Sequence, residues 1–287
     1  MPTFEQLSCP IDKQSLSLQE RSLVCPNGHS FDIAKSGYVN LLPVQNKRSK
    51  DPGDSKEMVS YRQSFLNLDH YFPIVKHMID QWPDALKAQS PCRVLDAGCG
   101  EGYYLHHLLN EFSQRDVLLQ GIGLDISKWA VTAASKRTKN ATWIVGSNAG
   151  LPMPDKCLDL VLCLFGFPVF SEFYRTLSDQ GYMLLVESGE EHLLELREIL
   201  YPSIHAYKAT HSDGIEGFTL VAESSLHYPF KLNSQDEIHQ LLCMTPHIHK
   251  ASYEGKEAVK ELNEISVTAH VKFRWYQKAT EEDHNAE

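Results

Sequence analysis

The spacing of apolar and polar positions divides the chain into three stretches. Residues 1–45 hold few long apolar runs but several turn formers and two cysteines, which reads as a small unit of short strands. Residues 46–57 are polar around a Pro52-Gly53 turn, and Asp54 or Ser55 is placed to cap a helix running to about Leu66. A second helix is predicted over 73–82. From Arg93 onward the pattern changes. Residues 93–96, 118–125, 142–146, 159–165 and 182–188 read as strands, and 103–112, 127–137 and 170–177 as helices, with Asp179-Gln180-Gly181 as the turn before the last of these strands. Such alternation predicts a mostly parallel sheet covered on both faces. Residues 265–275 alternate like antiparallel strand material. The organisation expected is a small domain at 1–45, a linker with helices at 46–90 and a main α/β domain at 91–287.

Composition narrows the function classes. The chain has 287 residues, 42% hydrophobic and 22% charged, which is ordinary for a globular protein and argues against extensive disorder. No run of about 18 apolar residues occurs, so no membrane helix is expected. Residues 1–19 show no basic start followed by an apolar block, so no secretory signal is expected and the cytoplasm is the compartment read from the sequence. The net charge of −10 taken alone disfavours a nucleic-acid partner. Its distribution tempers that reading, because residues 1–60 hold seven basic and seven acidic side chains and include the cluster Lys47, Arg48 and Lys50. Seven scattered cysteines do not form a disulfide framework, and Cys92, Cys157, Cys163 and Cys243 sit among apolar neighbours as reduced core thiols.

Two segments carry chemistry. Val94-Leu95-Asp96-Ala97-Gly98-Cys99-Gly100-Glu101-Gly102 follows a predicted strand and opens a predicted helix. Glycines there allow a tight turn and close approach of a ligand to the backbone. The third glycine comes two residues after the second rather than three, so the dinucleotide fingerprint fails. A second strand ends at Asp125, where an acid can hold both hydroxyls of a ribose. The competing reading is a Rossmann domain that binds NAD or no nucleotide. Near the N-terminus, Cys9-Pro10-Ile11-Asp12 precedes Cys25-Pro26-Asn27-Gly28-His29. Paired turns at this separation are how zinc ribbons present ligands, here as Cys9, Asp12, Cys25 and His29. The alternative is a unit that has lost its metal and is held by packing.

The glycine loop with Asp125 resembles the motifs of class I S-adenosylmethionine-dependent methyltransferases. That resemblance implies a Rossmann-like seven-stranded sheet with the cofactor across its carboxyl ends. Asp125 would take the ribose, Gly98, Gly100 and Glu101 would line the methionine part, and Asp96 would also serve the cofactor. Ser147, in Gly146-Ser147-Asn148-Ala149-Gly150-Leu151-Pro152, stands where an acid often contacts adenine. The run from Cys25 to Gln45, the following Lys47 to Ser55, Gly98 to Tyr104 and Met244-Thr245-Pro246 resemble the bacterial 23S ribosomal RNA guanine-N1 methyltransferases. This resemblance implies a zinc domain that grips RNA, with Asp12 standing where the family has a third cysteine. It also implies Tyr71, Gly100, Glu101 and His192 as cofactor contacts, 23S ribosomal RNA as partner, and a homodimer. Two departures bear on base recognition: His247, His249 and Lys250 follow Pro246, and Leu164-Phe165-Gly166-Phe167-Pro168 lacks the polar-Pro-Pro-aromatic signature of many amino-group methyltransferases.

Methyl transfer from a sulfonium depends chiefly on positioning, but guanine N1 must also lose a proton. The sequence does not name the base. Asp96, Glu101 and Glu187 are the acids near strand ends, with Glu187 read as a solvated acid. Phe165 and Phe167 are placed either to stack on an extruded base or to fill the core. Lys47, Arg48 and Lys50 are the candidate phosphate contacts, or an exposed soluble linker. Two other functions stay open at this point: a methyltransferase for a small molecule, and a non-catalytic RNA-binding module.

Overall fold

The structure, a computed structural model, describes residues 6–43, 45, 51–204, 214–245, 247 and 251–279. The candidate phosphate contacts Lys47, Arg48 and Lys50, and also Pro246, His249 and Lys250, lie outside the described residues.

Three short antiparallel strands, β1 (Ser17–Gln19), β2 (Ser22–Val24) and β3 (Ser30–Asp32), form a sheet of their own. The main sheet has eight strands. Its parallel part runs β4 (Val39–Asn40), β7 (Ala141–Val145), β6 (Leu119–Asp125), β5 (Cys92–Ala97), β8 (Leu158–Leu164) and β9 (Leu177–Ser188). Antiparallel β11 (Ile265–Lys278) and β10 (Phe218–Leu232) complete it beyond β9. The seven strands of the class I arrangement are therefore present, and an eighth comes from the N-terminal segment. Strand order reverses between β5 and β8, and in such sheets ligands bind at the carboxyl ends beside that switch point.

Helices α1 (Lys56–Leu66), α2 (Phe72–Asp80), α3 (Asp84–Lys87), α4 (Tyr103–Ser113), α5 (Lys128–Arg137), α7 (Leu194–Leu200), α8 (Gln235–Met244) and α9 (Tyr253–Lys260) all send buried side chains to one apolar cluster. Ser55 is the cap of α1, its hydroxyl accepting from Met58 N–H at 3.2 Å. The sheet is covered on both faces as expected, but unequally. The opposite face is covered by α6 (Phe170–Thr176) and by the N-terminal unit, whose Leu7, Leu16, Leu23 and Leu41 share a cluster with Ile122, Ile144 and Val161 of the sheet. The reason lies in the crossover from β7 to β8. Residues 146–157 form no helix, and the N-terminal unit fills that place, with Ser8 N–H donating to Pro152 O at 2.9 Å.

The turn expected at Asp179-Gln180-Gly181 is likewise not an interruption. It is an irregularity inside β9, where Leu158 pairs with Leu177 and Leu160 with Tyr182. The Lys278 ammonium donates to Leu177 O at 2.8 Å beside it. All seven cysteines are free and buried. Among the described residues no helix is long and apolar enough to cross a membrane.

Candidate functional site

The glycine loop is shaped by what packs under it. Gly98 N–H and Cys99 N–H both donate to Leu124 O, at 2.8 and 3.0 Å, folding the loop back onto β6. Gly98 has φ +91° and nothing within 4 Å of where a Cβ would stand, so its outer side is open to a ligand. Gly102 serves the opposite purpose. A Cβ there would stand 2.7 Å from the Trp143 ring and 2.9 Å from Ala134 Cβ, so the glycine lets α4 start directly on a buried tryptophan. That packing accounts for the spacing that breaks the dinucleotide pattern.

Three acids surround the loop. Asp96 and Glu101 are each 1% exposed, and one oxygen of each, Asp96 Oδ2 and Glu101 Oε1, has no hydrogen-bond partner. Burial, with Asp125 and Glu101 nearby, pushes the Asp96 carboxyl up to about 8. Glu101 is raised by burial against the pull of Arg137, whose guanidinium reaches Glu101 Oε2 at 2.6 Å. Asp125 accepts from Gly100 N–H at 3.0 Å and Ser127 N–H at 2.7 Å, and burial raises it too. Orphaned carboxylate oxygens beside an open backbone fit a ligand that carries positive charge and hydroxyls. S-adenosylmethionine, with its α-ammonium, sulfonium and ribose, has that chemistry. Above the loop, Arg62 of α1 faces Gly100, pairs with Asp54 and donates to Met244 O at 3.3 Å. The segment before α1 lies on β6's far end, where Ser127 Oγ donates to Asp54 O at 2.7 Å.

Tyr71 and His192 are brought together, both buried, with Tyr71 Oη 3.3 Å from His192 Nε2. Burial lowers His192 to about 4, so the ring is neutral at pH 7. His270 N–H donates to His192 Nδ1 at 3.3 Å. The single ring proton therefore sits on Nε2 and donates to Tyr71, which leaves the Tyr71 hydroxyl proton free to point elsewhere. Phe165 closes this corner at φ +52°, its ring stacked on His192 at 6.2 Å and near Tyr71 and Tyr104. It is 39% exposed and Phe167 is 88% exposed, so neither is a core residue. Ser147 spends its hydroxyl on the local turn, accepting from Ala149 N–H at 3.2 Å. Asn148 Nδ2 donates to Phe167 O at 3.0 Å, and its buried Oδ1 is unpaired. Glu187 is not a solvated acid: it takes Arg274 Nη1 at 2.8 Å, and the 7%-exposed Arg274 also bonds Glu223.

The N-terminal cluster is built on two turns. Lys13 N–H donates to Cys9 O at 2.9 Å, and Gly28 N–H to Cys25 O at 2.9 Å. They aim Cys9 Sγ, Asp12 Oδ2, Cys25 Sγ and His29 Nδ1 at one point, all within 4.8 Å of one another. Individual separations are 3.5 Å for Cys9–His29, 3.3 Å for Cys25–His29, 3.3 Å for Cys25–Asp12 and 3.1 Å for His29–Asp12. Tetrahedral zinc at bond lengths near 2.0–2.3 Å puts its ligand atoms about 3.5 Å apart, so the four residues fit the ion. Asn27 and Arg137 escaped the sequence reading. Asn27 donates to Asp12 Oδ2 at 2.8 Å, and its position between Cys25 and His29 was the available hint. Arg137, at the end of α5, carried no signal.

Comparison with known proteins agrees with both halves. Residues 7–50 match the zinc-ribbon family described as "RlmA, N-terminal", and residues 94–187 match a methyltransferase domain. YxjB of Bacillus subtilis (strain 168), assigned by name to the 23S rRNA (guanine-N(1)-)-methyltransferases, is 30% identical over 93% of this chain and 95% of its own length. The 23S rRNA (guanine(748)-N(1))-methyltransferase of Streptomyces fradiae is 34% identical over 68% of this chain and 67% of its own. A zinc ribbon joined to a methyltransferase domain, with such similarity along nearly the whole chain, makes this protein a member of the 23S rRNA (guanine-N1)-methyltransferase family.

Proposed function

We propose that this chain transfers a methyl group from S-adenosylmethionine to N1 of a guanine in a hairpin loop of 23S ribosomal RNA. The observation that carries the reading is the pair of orphaned, buried acid oxygens, on Asp96 and Glu101, beside the open backbone of Gly98. Asp96, Gly98, Gly100, Glu101 and Asp125 make up the loop and its acids, and buried Tyr71 and His192 pack with partly exposed Phe165, which also meets Tyr104 at the start of α4. In this reading Asp125 holds the ribose, Ser147 and its turn face the adenine, and the Asp96 and Glu101 oxygens receive the methionine α-ammonium. His192 is a positioning residue that fixes Tyr71. The cofactor supplies the electrophilic methyl group. The chain's own part is to hold the base edge in line with it, with Phe165 and Phe167 stacking on an extruded guanine. A small substrate would need neither the ribbon nor the exposed Phe167.

Cys9, Asp12, Cys25 and His29 hold zinc in this proposal, and the ion orders the ribbon. Lys47, Arg48 and Lys50 follow the ribbon in sequence and take RNA phosphates. The chain is divided functionally at 1–45, 46–90 and 91–287. It acts in the cytoplasm as a homodimer, as the family resemblance implies, and sedimentation of the zinc-loaded protein tests the assembly. The decisive experiment is incubation with labelled S-adenosylmethionine and unmodified bacterial 23S ribosomal RNA, followed by nucleoside mass spectrometry. We expect 1-methylguanosine. Labelled product of another kind, or none while the cofactor binds by calorimetry, would overturn the proposal.

A further inference from the structure

We propose that Glu191, His227 and His270 form a second metal site, for a divalent transition ion such as Zn2+, which ties the loop after β9 to the β10–β11 ladder. His227 and His270 are direct partners in the antiparallel register of β10 and β11, so both side chains stand on one face of the sheet. Their rings lie 5.2 Å apart at 70°. Glu191, just beyond the end of β9, reaches His227 Nε2 with Oε2 at 2.6 Å. One ligand atom from each of the three lies within 4.8 Å of the others.

An ion pair would explain Glu191 with His227 and nothing more. It would not explain the fixing of His270. That ring lies directly over Gly189, where a Cβ would stand 2.5–2.6 Å from three ring atoms, so glycine alone leaves room for it. Gly189 N–H donates to His270 O at 2.7 Å, Glu191 N–H donates to His270 Nδ1 at 3.2 Å, and Ser225 Oγ lies 3.1 Å from Nε2. The ring is thus held in place beside the other two ligands, and either of its nitrogens becomes a ligand at the cost of one hydrogen bond. Fixing ligands through their outer partners is how proteins tune metal sites. Two imidazoles and a carboxylate suit zinc and its neighbours rather than calcium or magnesium, and three protein ligands leave a coordination position for water. Glu191 and His227 are exposed, so an ion can enter from solvent. The same loop bears His192, which accepts from His270 N–H, so an ion here would also steady the His192–Tyr71 pair.

The test is a metal titration of the full chain, read by native mass spectrometry and by Co2+ absorption. Two equivalents are expected. One shows thiolate-to-cobalt charge transfer, from Cys9 and Cys25. The other lacks it and reduces hydrogen exchange over 189–193. In H227Q and E191Q, both changes at exposed side chains, the second equivalent should weaken at least about 100-fold, beyond the loss typical of outer-shell changes, while the first is kept. In C9S the second should persist. A single equivalent in the natural protein, a second that H227Q and E191Q leave unchanged, or unaltered exchange over 189–193 on filling it, would each overturn the proposal. None of these readouts depends on methyl transfer.

Discussion

Replacing Arg137 with methionine keeps the length of the side chain and removes the partner of a buried acid. Glu101 is 1% exposed and the Arg137 side chain 11%, so water offers little compensation. Two guanidinium N–H groups reach Glu101 Oε2, at 2.6 and 2.8 Å, and the other oxygen is already without a partner. Breaking a buried pair from one side costs about 3–5 kcal/mol, a large part of the ~5–15 kcal/mol that holds an ordinary domain folded. The cost has a definite pH dependence. Burial already raises Glu101 above its unfolded value, and losing Arg137 raises it further. The folded form then favours the neutral acid. The penalty is absent below the unfolded carboxyl pKa and grows as pH rises toward the folded one. Urea unfolding at pH 5 and pH 8 should therefore show R137M further below the natural protein at the higher pH. E101Q in the same background should restore about 2 kcal/mol or more, since it removes the charge that Arg137 neutralised; the double-mutant cycle also cancels the lost Arg137 bond to Asn67. A loss under about 1 kcal/mol that is equal at both pH values, or strict additivity of R137M and E101Q, would refute the reasoning.

Asp96, held near 8, should ionise when a cationic ligand settles against it, so cofactor binding below pH 8 should release a proton, tighten from pH 6 to 8 and then level off; calorimetry in buffers of different ionisation enthalpy measures this, and D96N should flatten it. G102A forces a Cβ against Trp143 at φ +81°, and the combined overpacking and backbone strain should cost about 2–4 kcal/mol, read by tryptophan fluorescence on unfolding. Chelating zinc, or C9S, should lower the melting temperature and expose Leu7, Leu16 and Leu23 to a hydrophobic dye, whereas D12C should bind zinc more tightly than the natural Asp12 ligand set.

Much of this was legible because the signals were local. Residues 93–188 announce their strands through short apolar runs with glycine or acid at the ends, and the candidate zinc ligands lie on two turns visible in sequence. What escaped depends on distant partners. Residues 218–232 alternate exposed and half-buried side chains along an edge strand, a weak signal that becomes a strand only through its ladder with β11. Asp179-Gln180-Gly181 has turn chemistry, yet pairing with β8 on either side carries it within a strand. Glu187 looked solvated because Arg274, its partner, lies 87 residues away in sequence. Arg137 is one helix-end arginine among several until α4 and α5 set it beside Glu101.

Strand β4 has only two residues, yet it makes the order of synthesis matter. Val39 pairs with Ile144, which the ribosome adds roughly 100 residues later, a delay on the order of 5–20 s at usual elongation rates. During that interval Leu7, Leu16, Leu23 and Leu41 have no sheet to rest on. The four candidate metal ligands, by contrast, are complete once His29 has emerged. Zinc capture can hold the nascent ribbon until β7 arrives, and the ribbon then seals an edge that would otherwise invite pairing with other nascent chains. In cells short of zinc, the first defect expected is therefore aggregation during translation, ahead of any loss of activity in protein already folded.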